Sequence, residues 1–374
     1  MKGMKIGIDA RLYRSSTAGI GRYSQNLIKH LLKIDHQNQY VLFMTKADIK
    51  EFDQQGSLRK AKIVEVNIPH YSLAEQTRLS KIIEGENCDL VHFLNFNYPV
   101  RYPGKFVLTI HDLTLLFYPE AARRTNFAKQ WAFRYILKKG CQSATRIIAV
   151  SQNTKADVIK TFKIDDHKII VIPEAADDKS FGKIDKKKFN HLKTKYKIDH
   201  PVILYVGQFR QHKNIRGLLE AFKILRKKLP ATLVLVGKVP EGFIDKKMPL
   251  KDTLMPGFVK DEELKAWYKI ARVFVFPSFY EGFGLPGLEA MMAGTPVVAA
   301  NRSSLPEIFQ DAALYFDPLK PEEIADRIKI VLTNKEKRNW LISQGKLVAK
   351  KYSWAKTARE TLKIYQATQE ILEE

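Results

Sequence analysis

Short apolar runs alternate with longer amphipathic stretches along nearly the whole chain, and this alternation restricts the fold more than any other feature. The first series is Ile6-Gly-Ile8, Tyr40-Val-Leu-Phe43, Ile63-Val-Glu-Val66, Leu90-Val-His-Phe93, Phe106-Val-Leu-Thr-Ile110, Ile147-Ile-Ala-Val150 and Ile169-Ile-Val-Ile172. Strand-length runs separated by helical stretches predict a mostly parallel sheet covered on both faces. After Pro173 comes a Lys- and Asp-rich tract. A second series then starts at Val202-Ile-Leu-Tyr-Val206 and continues through Thr232-Leu-Val-Leu-Val236, a strand near Leu254, Val273-Phe-Val-Phe276, Pro296-Val-Val298 and Ala313-Leu-Tyr-Phe316. The fold class expected is α/β, with two doubly wound domains at residues 1–178 and 195–353 and a linker at 179–194. At 374 residues the chain is long enough for both, and 45% hydrophobic residues exclude wholesale disorder. Residues 321–333, 335–350 and Trp354 to Leu372 read as helices, and there is no repeat or low-complexity segment.

The stretch with the most chemistry is Glu281-Gly-Phe-Gly-Leu-Pro-Gly-Leu-Glu289, which joins the apolar run Arg272–Pro277 to a helix and carries two carboxylates eight positions apart. Gly282, Gly284 and Gly287 let backbone approach a ligand, and Pro286 suits a first helical turn. Free amides at such a helix start favour a phosphate, while Glu281 and Glu289 are suited to accept hydrogen bonds from hydroxyls. Phosphate plus hydroxyls points to a nucleotide sugar. The plainer alternative keeps Glu281 as a loop carboxylate and Glu289 as a first-turn complement to the helix dipole.

This stretch, with its continuation Thr295-Pro-Val-Val-Ala-Ala-Asn-Arg-Ser-Ser-Leu-Pro-Glu307, resembles the Glu-x7-Glu signature of the family 4 retaining glycosyltransferases. The resemblance implies the GT-B fold, two Rossmann-like domains facing across a cleft, with the helix at 354–374 returning to the N-terminal domain. It further implies that Glu281, with Gly282, Phe283, Gly284, Leu285 and Pro286, contacts the donor sugar and phosphate, and that Glu289 holds ribose. Phe258 and Val259, in Pro256-Gly-Phe-Val259, would border the nucleobase. Gly207-Gln-Phe-Arg-Gln-His-Lys-Asn214 looks like the family's second phosphate loop, with Lys213 matching its lysine. Relatives often carry arginine where this chain has Gln208, so either Arg210 supplies that charge or Gln208 binds more weakly. Lys213 as a solvated loop charge is the competing reading.

His111-Asp112 ends the run at 106–110, and strand carboxyl ends face the ligand crevice in open α/β sheets. By resemblance His111 bonds the transferred sugar. Asp112 either contacts the acceptor or caps the following turn. Gly19-Ile-Gly21-Arg22 precedes a helix expected from Ser24 to Leu32; Ser24 stands where a dinucleotide fingerprint needs its third glycine, which disfavours a dehydrogenase. The resemblance makes Gly19 and Gly21 donor-binding and Arg22 an acceptor-side residue, against a plain turn. The catalytic set is then His111, Lys213 and Glu281. No Asp-x-Asp dyad or His/Cys cluster has ligand spacing, so no metal or cofactor is expected. The donor is a cosubstrate, GDP-mannose by likeness to bacterial mannosyltransferases, with a UDP-sugar as the other option.

Lys plus Arg is 63 against 40 acidic residues, giving +23 and a pI near 9.7. That charge favours anionic partners. No nucleic-acid module accompanies it, and the lysine tract is better read as a solvated linker. Cys88 and Cys141 make neither a disulfide framework nor a zinc site, and no signal-peptide or spanning segment is visible, so a cytoplasmic location is expected. Residues 121–139 form a helical pattern with Phe127, Trp131 and Tyr135 every four residues among Arg123, Arg124, Lys129, Arg134, Lys138 and Lys139. Such a stripe either packs on the sheet or meets the inner face of an anionic membrane, the latter if the acceptor is lipid-linked. The competing functions are a sugar-nucleotide 2-epimerase of similar fold and a non-enzymatic polyanion-binding scaffold.

Overall fold

Each half of the chain closes on its own parallel sheet. The computed structural model describes residues 3–14, 17–53, 61–119, 127–176, 186–243 and 251–373. The elements run β1 (Lys5–Asp9), α1 (Ala18–Ile34), β2 (Gln39–Met44), α2 (Lys46–Asp53), β3 (Lys62–Glu65), α3 (Leu73–Thr77), α4 (Leu79–Glu84), β4 (Leu90–Phe93), β5 (Phe106–Ile110), α5 (Thr114–Phe117), α6 (Phe127–Ser143), β6 (Arg146–Ala149), α7 (Gln152–Phe162) and β7 (Ile169–Val171). They continue α8 (Lys186–Lys195), β8 (Val202–Val206), α9 (Ile215–Arg226), β9 (Thr232–Val236), β10 (Thr253–Gly257), α10 (Asp261–Ile270), β11 (Ala271–Phe276), α11 (Leu285–Ala293), β12 (Val297–Ala300), α12 (Leu305–Phe309), β13 (Ala313–Phe316), α13 (Pro321–Thr333), α14 (Lys335–Ala349) and α15 (Trp354–Glu373). One unit draws on Met1–Pro119, Arg124–Glu174 and Trp354–Glu374, and the other contains Ala175–Ser353.

In the first unit the strand order is β3-β2-β1-β4-β5-β6-β7, and every pairing is parallel. Central β4 and β5 are buried along their whole length, as strands covered on both faces must be, while β3 ends the sheet with Lys62 and Glu65 exposed. The chain reverses its direction across the sheet between β1 and β4. The last helix, α15, packs on α1 of this unit. Its buried positions Trp354, Thr357, Ala358, Thr361, Ile364, Tyr365 and Thr368 recur at helical spacing, and the Thr357 hydroxyl donates to the Pro173 carbonyl at 2.8 Å.

The second unit orders its strands β10-β9-β8-β11-β12-β13, again all parallel, with the reversal between β8 and β11. Pro256 lies on edge strand β10, where a missing N–H costs no ladder bond.

Three sequence expectations change. Residues 186–194, assigned to a linker, belong to α8, whose Leu192 is buried and which packs on α10; residues 177–185 lie outside the described ones. Helix α1 begins at Ala18, not Ser24, so Gly19, Gly21 and Arg22 stand in its opening turns. There a Cβ on Gly21 would sit 2.1 Å from the Arg14 carbonyl, whereas Gly19 has open space; glycine at 21 admits the preceding loop. Helix α6 does not lay Trp131 and Tyr135 on the sheet: both are exposed and stacked in parallel, 5.6 Å apart, and Leu137 and Cys141 face the core. Arg123 and Arg124 lie outside the described residues.

Candidate active site

The loops after β8 and β11 meet at the reversal point of the second unit, where neighbouring strands send their connections in opposite directions and open sheets bind ligands. Gly207 leaves β8 with its amide donating to Val236 O at 3.0 Å. Residues Gln211–Lys213 form one tight turn, and Asn214, in the left-handed region at φ 52°, caps α9 by accepting from the Gly217 amide. Its side-chain amide also donates to Pro318 O at 2.7 Å, anchoring the turn. The Phe279 amide donates to His212 O at 2.8 Å and ties the two loops together. Lys213 Nζ consequently lies 2.6 Å from Glu281 Oε1, with the two side chains only 20% and 11% exposed.

Glu281 is held through its backbone. Its carbonyl accepts from the Ser303 hydroxyl at 2.5 Å, its amide donates to Ser303 Oγ at 3.2 Å, and the Ser304 hydroxyl shares its proton between the Glu281 and Phe283 carbonyls. Gly284 starts α11 at φ 111°, a backbone that glycine adopts without strain, and Pro286 sits in the first turn. Pro286 has no amide proton and the Gly287 amide donates to Gly284 O at 3.0 Å, so of the first three positions of α11 the Leu285 amide is the donor that heads the positive dipole end.

Two readings are corrected here. Gly287 does not open a path for a ligand, because a Cβ there would lie 2.2 Å from the Phe309 ring; its size serves the packing of α11 on α12. Glu289 lies in the second turn of α11 and is buried, so it is not a first-turn dipole complement. Its Oε2 accepts from the Tyr268 hydroxyl of α10 at 2.7 Å.

Phe258 and Val259 follow β10, Phe258 81% exposed and Val259 buried. The Gly237 amide donates to Gly257 O at 2.9 Å, and a Cβ at 237 would lie 2.0 Å from Gly207 O, so the ends of β8, β9 and β10 are close-packed. Arg210 is exposed at the start of the tight turn. Burial, followed by the charges of Lys213 and Arg210, pushes the His212 imidazole down to about 3 and keeps it neutral.

In the first unit His111 directly follows β5. Its Nδ1 faces Glu174 Oε1 at 2.7 Å, and its Nε2 donates to the Leu94 carbonyl at 2.9 Å, while Tyr23 packs edge-on against the ring. Burial opposes a charge on this ring, yet the bond and charge of Glu174 outweigh it and raise the pKa. Both nitrogens are thus engaged by the protein. Asp112 accepts from the Thr114 amide at 2.7 Å, the turn-capping alternative. Deeper in, His92 bridges Tyr365 of α15 and Thr109, at 2.7 and 2.8 Å, and burial, then the His111 charge, lowers it to about 3.

Sequence reasoning assigned no role to Glu174, Tyr268, Ser303, Ser304 or His212. Glu174 was findable, since it follows β7 at the strand-carboxyl edge that His111 also occupies. Tyr268 gives no local sign of its bond to Glu289.

The description "Glycosyl transferases group 1" matches residues 186–348, and "Glycosyltransferase Family 4" matches residues 17–180. The O-antigen chain mannosyltransferase B of Escherichia coli is 30% identical, over 97% of this chain and 99% of that protein. The chain belongs to glycosyltransferase family 4. Among solved structures, the sucrose-phosphate synthase of Thermosynechococcus elongatus superposes at TM-score 0.78 with 20% identity, covering 98% of this chain and 100% of that one. Anabaena HepE in complex with UDP-glucose gives 0.76 and 17%, covering 97% and 100%. These likenesses show the GT-B fold. In this family 4 glycosyltransferase the paired Lys213 and Glu281 come from the two loops, 207–214 and 281–289, that the sequence singled out. Among the described residues no helix is long and apolar enough to cross a membrane.

Proposed function

We propose that this glycosyltransferase moves mannose from GDP-mannose to a glycan or lipid-linked acceptor, with retention of anomeric configuration and without a metal. The observation that carries the reading is the 2.6 Å contact of Lys213 with Glu281 beside the α11 N-terminus. Lys213 and the dipole end of α11, headed by the Leu285 amide, supply fixed positive charge for the departing diphosphate. Glu281 accepts from hydroxyls of the sugar, and Glu289, oriented by Tyr268, from those of the ribose. The bond from sugar C1 to the phosphate oxygen breaks with its electron pair on phosphate, the acceptor oxygen bonds C1 on the same face, and the acceptor proton passes to the leaving phosphate. No enzymatic nucleophile enters. Support for metal independence comes from the positive charge that Lys213 already builds into the site. Mannose is favoured by the named activity of the Escherichia coli relative.

The deciding experiment is turnover with GDP-mannose, UDP-glucose and ADP-glucose, followed by NMR of the product linkage with and without excess chelator. A retained linkage from GDP-mannose at unchanged rate under chelator is expected. An inverted product, or activity that chelator abolishes and magnesium or manganese restores, would remove the mechanism; preference for another nucleotide would move the donor assignment.

A further inference from the structure

We infer that Tyr71 and Phe96, at the strand-carboxyl edge of the first unit, form the stacking platform for a neutral pyranose ring of the acceptor; this rests on the reading of the chain as a sugar transferase. Tyr71 has a left-handed backbone at φ 59°, which a bulky side chain adopts only under strain. The residue is 62% exposed, so burial is no compensation. Instead the turn is forced into shape from below. The Tyr71 amide donates to Glu75 Oε2 at 2.9 Å, and Ser72 caps α3 while donating to Pro69 O. Glu75 is fixed by Arg11, which also grips Asp9 through two bonds of 2.8 and 2.7 Å, all three side chains being buried.

The product of this scaffolding is an outward aromatic face. Tyr71 lies nearly parallel to Phe96, 5.7 Å away at 29°, and Phe96 is propped edge-on by Phe133 at 4.7 Å. Asn97 bonds Glu75 and His70 beside it, and Asn95 bonds Asn97, so amides and an imidazole flank the rings. The platform sits beyond β1 and β4, the reversal point of this sheet, where ligands of doubly wound folds bind. A pyranose presents a flat face of C–H groups, which the negative face of an aromatic ring attracts, and a rim of hydroxyls for neighbouring polar groups. The charges directly beneath, Asp9 and Glu75 against Arg11, sum to one negative charge. That disfavours a phosphate or an anionic lipid and fits a neutral sugar.

The test is saturation-transfer NMR on the full chain with methyl α-D-mannopyranoside, methyl α-D-glucopyranoside and methyl α-D-galactopyranoside, alongside calorimetry with GDP and UDP. The wild type should transfer saturation to ring C–H protons of at least one pyranoside. Tyr71→Gly should weaken that contact about tenfold, the weight of one aromatic stack, with nucleotide affinity unchanged and Tm equal or higher because backbone strain is relieved. Tyr71→Phe should keep it. No transfer by the wild type, or full transfer by Tyr71→Gly, overturns the platform. So does a fall in Tm or nucleotide affinity for Tyr71→Gly, which marks a structural role. Loss of binding to vesicles of anionic lipid with glycoside contact intact also overturns it, marking a membrane face. Because glycoside binding is read without turnover, it stands or falls separately from the proposed transferase reaction.

Discussion

Lys213 Nζ and Glu281 Oε1 lie 2.6 Å apart although 68 residues separate them, and each is delivered by a different loop at the reversal point of one sheet. The pair is mostly shielded from water, so each charge is strengthened by its site and each is costly to leave alone. Lys213→Ala should therefore lower kcat by about a hundredfold or more, the scale of losing one preorganised charge-stabilising donor. The fold should survive, because both loops stay pinned by the Phe279 amide on His212 O. Steady-state rates with a melting curve check this; near-normal turnover would return Lys213 to the solvated lysines.

Glu289 and Tyr268 form the second relationship to be separated by mutation. Glu289→Ala removes the acceptor for ribose hydroxyls and should weaken nucleoside diphosphate binding by about 10- to 100-fold, on the scale of charged hydrogen bonds at roughly 1.5–3 kcal/mol. Tyr268→Phe leaves the carboxylate but frees its orientation, and should cost less, about two- to fivefold. Glu281→Ala should spare nucleotide affinity and impair use of the intact sugar donor. Calorimetry with GDP and UDP distinguishes the three; equal nucleotide affinity of Glu289→Ala and wild type contradicts the ribose role.

Much of this is legible in the sequence, for a physical reason. Buried parallel strands must be short and apolar, so β4, β5, β8 and β11 announce themselves, and the glycine-to-proline passage at 284–286 marks a helix start. What stayed hidden depends on contacts across the chain. Nothing near Gly287 says that Phe309 will fill the space above it, and nothing near Tyr268 says that its hydroxyl meets Glu289. The start of α1 was missed because Ala18 to Tyr23 has the glycine content of a loop, while Gly21 is small to admit the Arg14 carbonyl. Helix α6 shows the converse: a regular aromatic stripe reads as a core face, yet Leu137 and Cys141 are the fully buried residues, with Phe133 and Ile136 packed beside them.

The buried histidines predict pH dependence of opposite signs. The His111 pKa is raised despite burial, through Glu174, so its stabilisation is complete below the unfolded value of about 6.5 and fades as pH rises through the folded pKa. His92 and His212 are lowered to about 3, chiefly by burial. Between about 6.5 and 3 the unfolded chain takes up protons that these two refuse, so they make stability fall as pH drops. Glu174→Gln should lower the His111 titration midpoint and cost more stability at pH 6 than at pH 9. Histidine NMR titrations and urea midpoints at both pH values measure this, and a wild-type His111 titrating at or below its ordinary value would refute the assignment.

The outward stripe of α6 bears on where the acceptor is met. Trp131 and Tyr135, 62% and 42% exposed, stack together, and Arg134, Lys138 and Lys139 are exposed on the same helix. Amphipathic aromatics with cations around them suit the interfacial zone of an anionic bilayer, and a net charge of +23 favours approach to it. Each cation near such a surface contributes about 1 kcal/mol, so replacing Arg134, Lys138 and Lys139 together by Gln should weaken vesicle binding roughly a hundredfold. The binding should also weaken from low to high salt as the charges are screened. Trp131→Ala should reduce binding with little change in its salt dependence, because it removes the apolar contribution alone. Sedimentation with vesicles containing anionic lipid measures all of these; no binding even at low salt would leave an enzyme whose acceptor is delivered from water.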